Sequence, residues 1–318
     1  MARVSILDEV LGESRIVVVD GGARNGSLEL PRLAPYCWVY GFEPNQVEFE
    51  KLMTGQTDLY RVAGITSPAY AKITYSNYAL SDHTGAGTLY ITAGPGACST
   101  LKPNQRVLSR YVEDYSRSFE VIGEMAVRCI TLPAAMKHFG VETIDYVKLD
   151  TQGNELDILL ASEPLLSNGI SVIKMEVEFI CLYERQKLFS DCEVELRQRG
   201  FELLDLSVTD EHRIARVSKR LDGRRSLVWG DAYFVKELGR EEPRERILKQ
   251  AIVLMGLGYI DYGFSVIRGV PGIEEAVVSR LHGYYAEGRG LTMKERFHRR
   301  VRSGFYAVRS LYGRLMRL

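Results

Sequence analysis

Short apolar runs, each closed by a turn residue, recur over the first three quarters of the chain. Runs of this length bounded by Gly, Pro, Asn or Asp predict buried strands at 16–19, 37–44, 73–81, 144–150, 170–179, 200–208 and 226–235. Between several of them the apolar positions fall three and four apart. That spacing predicts helices in "NQVEFEKLM", "TLPAAMKHFG", "GNELDILLAS" and "DCEVELRQRG". Strands alternating with helices imply a mainly parallel sheet covered on both faces. Only the charged stretch "TDEHRIARVSKRLDGRRS" separates the last two runs, so the sheet should end in an antiparallel pair. From about Lys236 the pattern is helical only, which places a boundary near 238: a first domain over 1–238 and a helical region over 239–318. Within the latter, "AIVLMGLGYIDYGFSVI" is broken by Asp261 and three glycines and is short for a membrane span. A buried helical hairpin is the expectation.

Two strands depart from the apolar rule. In "DYVKLD" alternation puts Tyr146, Lys148 and Asp150 on one face, and in "VIKMEVEF" it does the same for Lys174, Glu176 and Glu178. Central parallel strands normally read as continuous apolar runs. Charges buried there need partners, so Lys148 is expected to meet Glu176 or Glu178 across the strands. Asp150 closes its strand, where parallel sheets of this kind bind ligands. It and Lys148 are therefore the candidate catalytic residues, with an ion-pair ladder that merely fixes the sheet as the alternative.

Composition narrows the classes. The 318 residues are 46% hydrophobic and 26% charged with no net charge, so no overall field argues for nucleic acid. The charge is uneven: residues 291–318 hold eight Lys/Arg and one acid, leaving 33 basic and 40 acidic residues of the 41 of each sign for the rest. The tail reads as a basic amphipathic helix, able to lie on an anionic membrane, dock on an acidic partner or fold onto the acidic body. Five scattered cysteines without a CxxC spacing point to reduced thiols in a cytoplasmic chain, and acids in "MARVSILDEVLGES" argue against a secretion signal. The five histidines show no ligand pairing, and no metal is assigned.

The chemistry concentrates at strand ends. "RIVVVDGGARNG" runs a buried strand into Asp20 and then Gly21 and Gly22. A dinucleotide fingerprint half fits this loop, but Asp20 would face a pyrophosphate, charge against like charge. A carboxylate beside bare backbone instead suits a ligand with an ammonium group and no phosphate, such as S-adenosylmethionine. Glu43, ending the next strand in "GFEPN", offers two acceptor oxygens to a ribose diol. Ser81 or Asp82 in "ALSDHTG" would border the adenine. The stretch 92–120 is long, with Gly and Pro first and aromatics later; Ser99, Thr100, Tyr111 and Tyr115 can serve an acceptor loop or a peripheral packing loop.

Taken together, "VDGGARNGS", "GFEPN", "YALSDHTG", "VKLDTQGNELDIL" and "IKMEVEF" resemble, in order and spacing, the FkbM family of S-adenosylmethionine-dependent methyltransferases over roughly residues 14–236. The resemblance implies the class I methyltransferase (Rossmann-like) α/β fold, a seven-stranded sheet with a reversed last strand, followed here by a helical C-terminal extension. It also implies methyl transfer to an oxygen of a small-molecule or glycan acceptor, commonly a sugar or polyketide-type hydroxyl. The cofactor residues it implies are Asp20, Gly21, Gly22, Ala23, Asn25, Glu43, Ser81, Asp82 and Asp150. One departure stands out: Arg24 occupies a position where the family usually has Asn. A cofactor-bound but inactive module that docks to a larger assembly is the alternative function.

Overall fold

The structure is a computed structural model and describes residues 5–212, 226–239, 241–268, 270 and 273–286. The described residues between 15 and 239 form one compact unit; those between 5 and 14 and between 241 and 286 belong to a second. Among the described residues, the first unit contains ten strands: β1 (Ile16–Gly21), β2 (Cys37–Phe42), β3 (Lys72–Ser76), β4 (Ala79–Leu80), β5 (Gly85–Thr92), β6 (Val121–Ile130), β7 (Ile144–Leu149), β8 (Ile170–Glu178), β9 (Phe201–His212) and β10 (Ser226–Lys236). Seven of them make one sheet in the order β3-β2-β1-β7-β8-β10-β9. β10 runs antiparallel to both neighbours and the other pairs are parallel. This is the class I methyltransferase order with its reversed last strand.

Local sequence explains the elements that position the site. Asn45 starts the helix Gln46–Met53 by accepting from the amides of Val47 and Glu48 through Oδ1, at 3.0 and 3.4 Å. Thr131 and Pro133 open the helix Leu132–Phe139, and Gly140 ends it in the left-handed conformation. Val147, Leu149, Ile173, Met175 and Phe234 point to one face of the sheet. They pack there with Leu132, Met136, Leu156, Leu159, Leu166 and Leu196 from the covering helices. The opposite face of the same strands carries Tyr146, Lys148, Lys174 and Glu176, which leaves the polar side free to build a site.

The third apolar run divides differently from the expectation. Strand β3 ends at Ser76, and Ala79–Leu80 pairs with β6 in a separate three-stranded sheet, β4-β6-β5. The hairpin partners β5 and β6 were not expected at all. Both are half exposed and carry glycines, so neither shows an apolar run.

In the second unit the expected hairpin is present as helices Arg244–Gly256 and Ile260–Arg268 around Gly258, at φ +98°. A Cβ at Gly263 would press on Met255 at 2.6 Å and on the Ala251 carbonyl at 2.8 Å, so glycine sets the close approach of the two helices. Helix Ile6–Leu11 belongs to this unit, where Glu9 pairs with Arg280 at 2.7 Å. The basic tail, for which a membrane, partner or intramolecular contact is expected, lies outside the described residues. Among the described residues no helix is long and apolar enough to cross a membrane.

Candidate functional site

A cavity of about 700 Å3 opens at the carboxyl ends of β1, β2, β7 and β8. That size suits a cofactor together with part of an acceptor. The loop after β1 forms one wall. Gly22 takes φ +78°, and a Cβ on it would run into the Asp150 carbonyl. Only glycine lets the two strand ends meet this closely. The amides of Gly22 and Ala23 donate to the Phe42 carbonyl at 3.1 and 3.0 Å, and the Asp150 amide donates to the Gly21 carbonyl at 3.0 Å. Asp20, Gly22, Asn25, Glu43 and Asp150 line the cavity, and Gly21 and Ala23 do not.

Lys148 holds this corner together. Its Nζ lies 3.1 Å from Asp20 Oδ1, 2.9 Å from the Gly22 carbonyl, 3.4 Å from that of Gly21 and 3.6 Å from Asp150 Oδ2. Asp20 Oδ1 has no well-directed hydrogen bond, so its contact with Lys148 is an ion pair. Burial opposes the lysine charge, but Asp20, Asp150 and Glu29 outweigh it and raise the pKa above the ordinary lysine value. Lys148 is thus a fixed ammonium at neutral pH. As an ammonium it is suited to hold the acids and carbonyls around it in place.

The expected pairing of Lys148 with Glu176 or Glu178 is not what the sheet shows. The β7–β8 register sets Lys148 opposite Lys174. Each lysine therefore draws its acids from elsewhere: Lys148 from β1, Lys174 from Glu29 at 3.4 Å and Asp231 at 3.8 Å. Glu29 also accepts from the Tyr146 hydroxyl at 2.7 Å, which ties the loop after the glycines to the sheet.

Glu43 is 5% exposed and accepts from the Asn45 amide at 2.8 Å. Burial pushes its carboxyl up to about 7; the Asn45 amide opposes this, Glu48 adds to it, and Arg24 and Lys148 oppose it. Arg24, the residue that departs from the family pattern, lines the same wall with Nε 3.7 Å from Glu48. Ser81 and Asp82 do not line the cavity; Ala79 and Leu80, just before them, do. The exposed Asp82 carboxylate lies 2.7 Å from His83 Nδ1 and accepts from Ser81 Oγ at 3.0 Å.

The far wall is acidic. Antiparallel pairing sets Trp229 against Glu178 and Asp231 against Glu176, and all four line the cavity with Asp150. Burial first, and then neighbouring carboxylates, raise Glu176 and Glu178 well above the usual carboxylate range. Glu155 serves the backbone instead. Its carboxylate accepts from the amides of Thr151 at 2.6 Å and Gly153 at 2.9 Å and so shapes the turn after Asp150. Of the four candidates in 92–120, Thr100 and Tyr115 reach the cavity, together with residues from Gly94 to Cys98. Ser99 is buried and donates to the Gln152 carbonyl at 2.7 Å, and Tyr111 is buried in an apolar cluster. Sequence reasoning missed Glu29, Trp229 and Asp231. The alternation of Trp229, Asp231 and Tyr233 in "VWGDAYF" is the signal that would have found the last two. Among the described residues no group of three or more His, Cys, Asp or Glu is arranged to hold a metal ion.

The model of the methyltransferase FkbM domain matches residues 20–203, more than half of the chain and all of this cavity's first four strand ends. The chain belongs to the FkbM methyltransferase family. It is accordingly a methyltransferase with S-adenosylmethionine as cofactor. Solved structures similar to this FkbM chain include magnesium protoporphyrin IX methyltransferase from Synechocystis with bound SAM, 12% identical, covering 73% of this chain and 76% of that one at a TM-score of 0.34. Another is an rRNA methylase from Streptococcus thermophilus, 13% identical, covering 73% and 93% at 0.32. A third is a TehB-like SAM-dependent methyltransferase from Corynebacterium glutamicum, 9% identical, covering 74% and 89% at 0.31. No curated protein matches the chain.

Proposed function

We propose that this FkbM methyltransferase methylates a hydroxyl oxygen of a sugar, glycan or glycosylated metabolite. The observation that carries the reading is the far wall, where Asp150, Glu176, Glu178 and Asp231 stand beside the Trp229 indole in one cavity. Carboxyl groups hydrogen-bond to hydroxyls in either protonation state, as acceptors when ionised and as donors too when protonated, and an indole packs on the C–H face of a sugar ring. When bound, S-adenosylmethionine supplies a methyl group activated on sulfonium sulfur.

The chain's own residues divide the remaining work. Asp20, Gly21, Gly22, Ala23 and Asn25 form the backbone cradle and its acid, which offer acceptors to an ammonium-bearing ligand. Glu43 receives the ribose hydroxyls. The exposed Asp82 and its neighbour Ser81 are left with at most an edge contact. Asp150 accepts the proton that an alcohol sheds as it is methylated. Lys148 keeps Asp150 and the glycine loop in place. The test is mass spectrometry of glycans and metabolites from cells with and without the chain: loss of a methyl ether supports the reading, and unchanged methyl ethers contradict it.

The Glu43 assignment carries its own prediction. Removing its charge-assisted hydrogen bonds should cost roughly 1.5–3 kcal/mol, so Glu43→Ala should bind S-adenosylmethionine at least ten-fold more weakly by calorimetry. The pH dependence follows from its carboxyl lying at about 7. The ionised form is the better acceptor, so affinity should rise as pH rises through 7 and level off above it. In Glu43→Gln that slope should vanish; a slope that persists unchanged assigns the titration to another group.

A further inference from the structure

Gln152 stands at the junction of the acidic wall, and the transfer step gives it no part. Its backbone is left-handed, at φ +63°, where side chains other than Gly and Asn are uncommon. Such a conformation persists only where the surroundings fix it. Here they do: Ser99 Oγ donates to the Gln152 carbonyl at 2.7 Å, and Glu155 holds the amides of Thr151 and Gly153 on either side.

The side-chain amide is used at every atom. Nε2 donates to Asp150 Oδ1 at 3.0 Å and to Glu176 Oε2. Oε1 faces the Tyr183 hydroxyl at 3.0 Å, which also lies 2.9 Å from the Ala97 carbonyl. Tyr183 is fully buried, so this donor does not swing away to solvent. A flipped amide would set its oxygen against the Asp150 and Glu176 carboxyls and leave both without an N–H donor, whereas the Tyr183 hydroxyl, whose single hydrogen is shared between Ala97 and Oε1, accommodates either orientation. One orientation is therefore strongly favoured, with one hydrogen for each carboxyl.

We infer that Gln152 is the positioning residue of the acceptor end: its amide, oriented by the two carboxyls and packed against Tyr183, aims the Asp150 and Glu176 carboxyls into the cavity together and couples them to the segment around Ala97 and Ser99. The inference rests on the reading that this end of the cavity receives the hydroxyl acceptor. A neutral double donor is the chemistry this spot requires. Lys148, Lys174, Glu178 and Asp231 face the pair from the sheet, Glu155 from the following helix and Tyr183 from the segment after β8. A carboxylate at position 152 would add one more like charge, and a hydrocarbon would leave two carboxyls without their donor.

The test uses the full chain saturated with S-adenosylhomocysteine, with carbon-13 in the Glu carboxyls and the Glu176 resonance assigned through Glu176→Gln. A donor to a carboxylate favours its ionised form, so Gln152→Met should move the Glu176 titration up by about one pH unit. Tyr183→Phe, which only releases the amide, should move it the same way by less. Affinity for S-adenosylhomocysteine should stay within a few-fold in both. An unmoved Glu176 titration in a Gln152→Met protein that binds S-adenosylhomocysteine normally overturns the inference. Should Gln152→Met fail to fold, Gln152→Asn, whose shorter amide cannot reach both carboxyls, decides in the same two directions. The two readings fail separately: wild-type methyl transfer by Asp150→Asn removes the acceptor-end reading, whereas an inactive Asp150→Asn with unmoved Glu176 titrations removes only the role of Gln152.

Discussion

Replacing Asp150 by asparagine should cut methyl transfer by about a hundred- to ten-thousand-fold, the usual contribution of a positioned base, while cofactor affinity stays within a few-fold. The asparagine keeps an oxygen for the Gln152 amide, so the 3.0 Å hydrogen bond that orients this side chain can survive. What is lost is the capacity to accept a proton. It is also lost at a residue with a half-exposed side chain beside a fixed ammonium, so folding should be little affected. Rates with labelled cofactor, calorimetry with S-adenosylhomocysteine and a thermal melt together separate the outcomes. A folded, cofactor-binding and slow variant supports the assignment. A folded variant that transfers at the wild-type rate contradicts it, and one that unfolds returns Asp150 to the role of a structural ion-pair partner.

Lys148→Met should produce the largest loss of stability. Lys148 is almost wholly enclosed and Asp20 is 2% exposed, so the substitution strands a buried carboxylate. Breaking such a pair from one side costs about 3–5 kcal/mol, and the Gly22 carbonyl loses its 2.9 Å donor as well. The lysine pKa is raised, so its stabilising charge is fully present below the unfolded value of 10.5 and the loss should be constant across the neutral range. Urea unfolding of the single variant and of Lys148→Met with Asp20→Asn tests this. The second substitution should restore most of the loss by removing the orphaned charge. A single variant within about 1 kcal/mol of wild type, the size of an ordinary substitution, would show that Asp20 does not depend on Lys148.

Much of this architecture is legible in the sequence because burial writes itself as composition. β1, β2, β7 and β8 are apolar on at least one face, and each ends at a residue that lines the cavity or lies beside it: Asp20, Glu43, Asp150 and Glu178. β5 and β6 leave no comparable trace, since half of each strand faces solvent. The partner of Lys148 is a matter of register. Alternation tells which face a lysine occupies but not which residue lies opposite, and here the sheet sets lysine against lysine. Glu29 is less legible still. It sits in a loop with no pattern, and only the folded chain brings it to Tyr146 and Lys174. Gln152 is visible in "KLDTQGNE" but carries no meaning until Asp150, Glu176 and Tyr183 are seen around a single amide.

The account turns on where the methyl group goes. The most direct measurement incubates the purified chain with S-adenosylmethionine carrying a trideuteriomethyl group and the glycan and metabolite fractions of a cell extract, then locates the label by mass spectrometry. Labelled methyl ethers are expected on a sugar-containing product, formed by the wild-type chain and nearly absent with Asp150→Asn. Label found on nitrogen or carbon, or no transferred label from a chain that binds the cofactor, would contradict this.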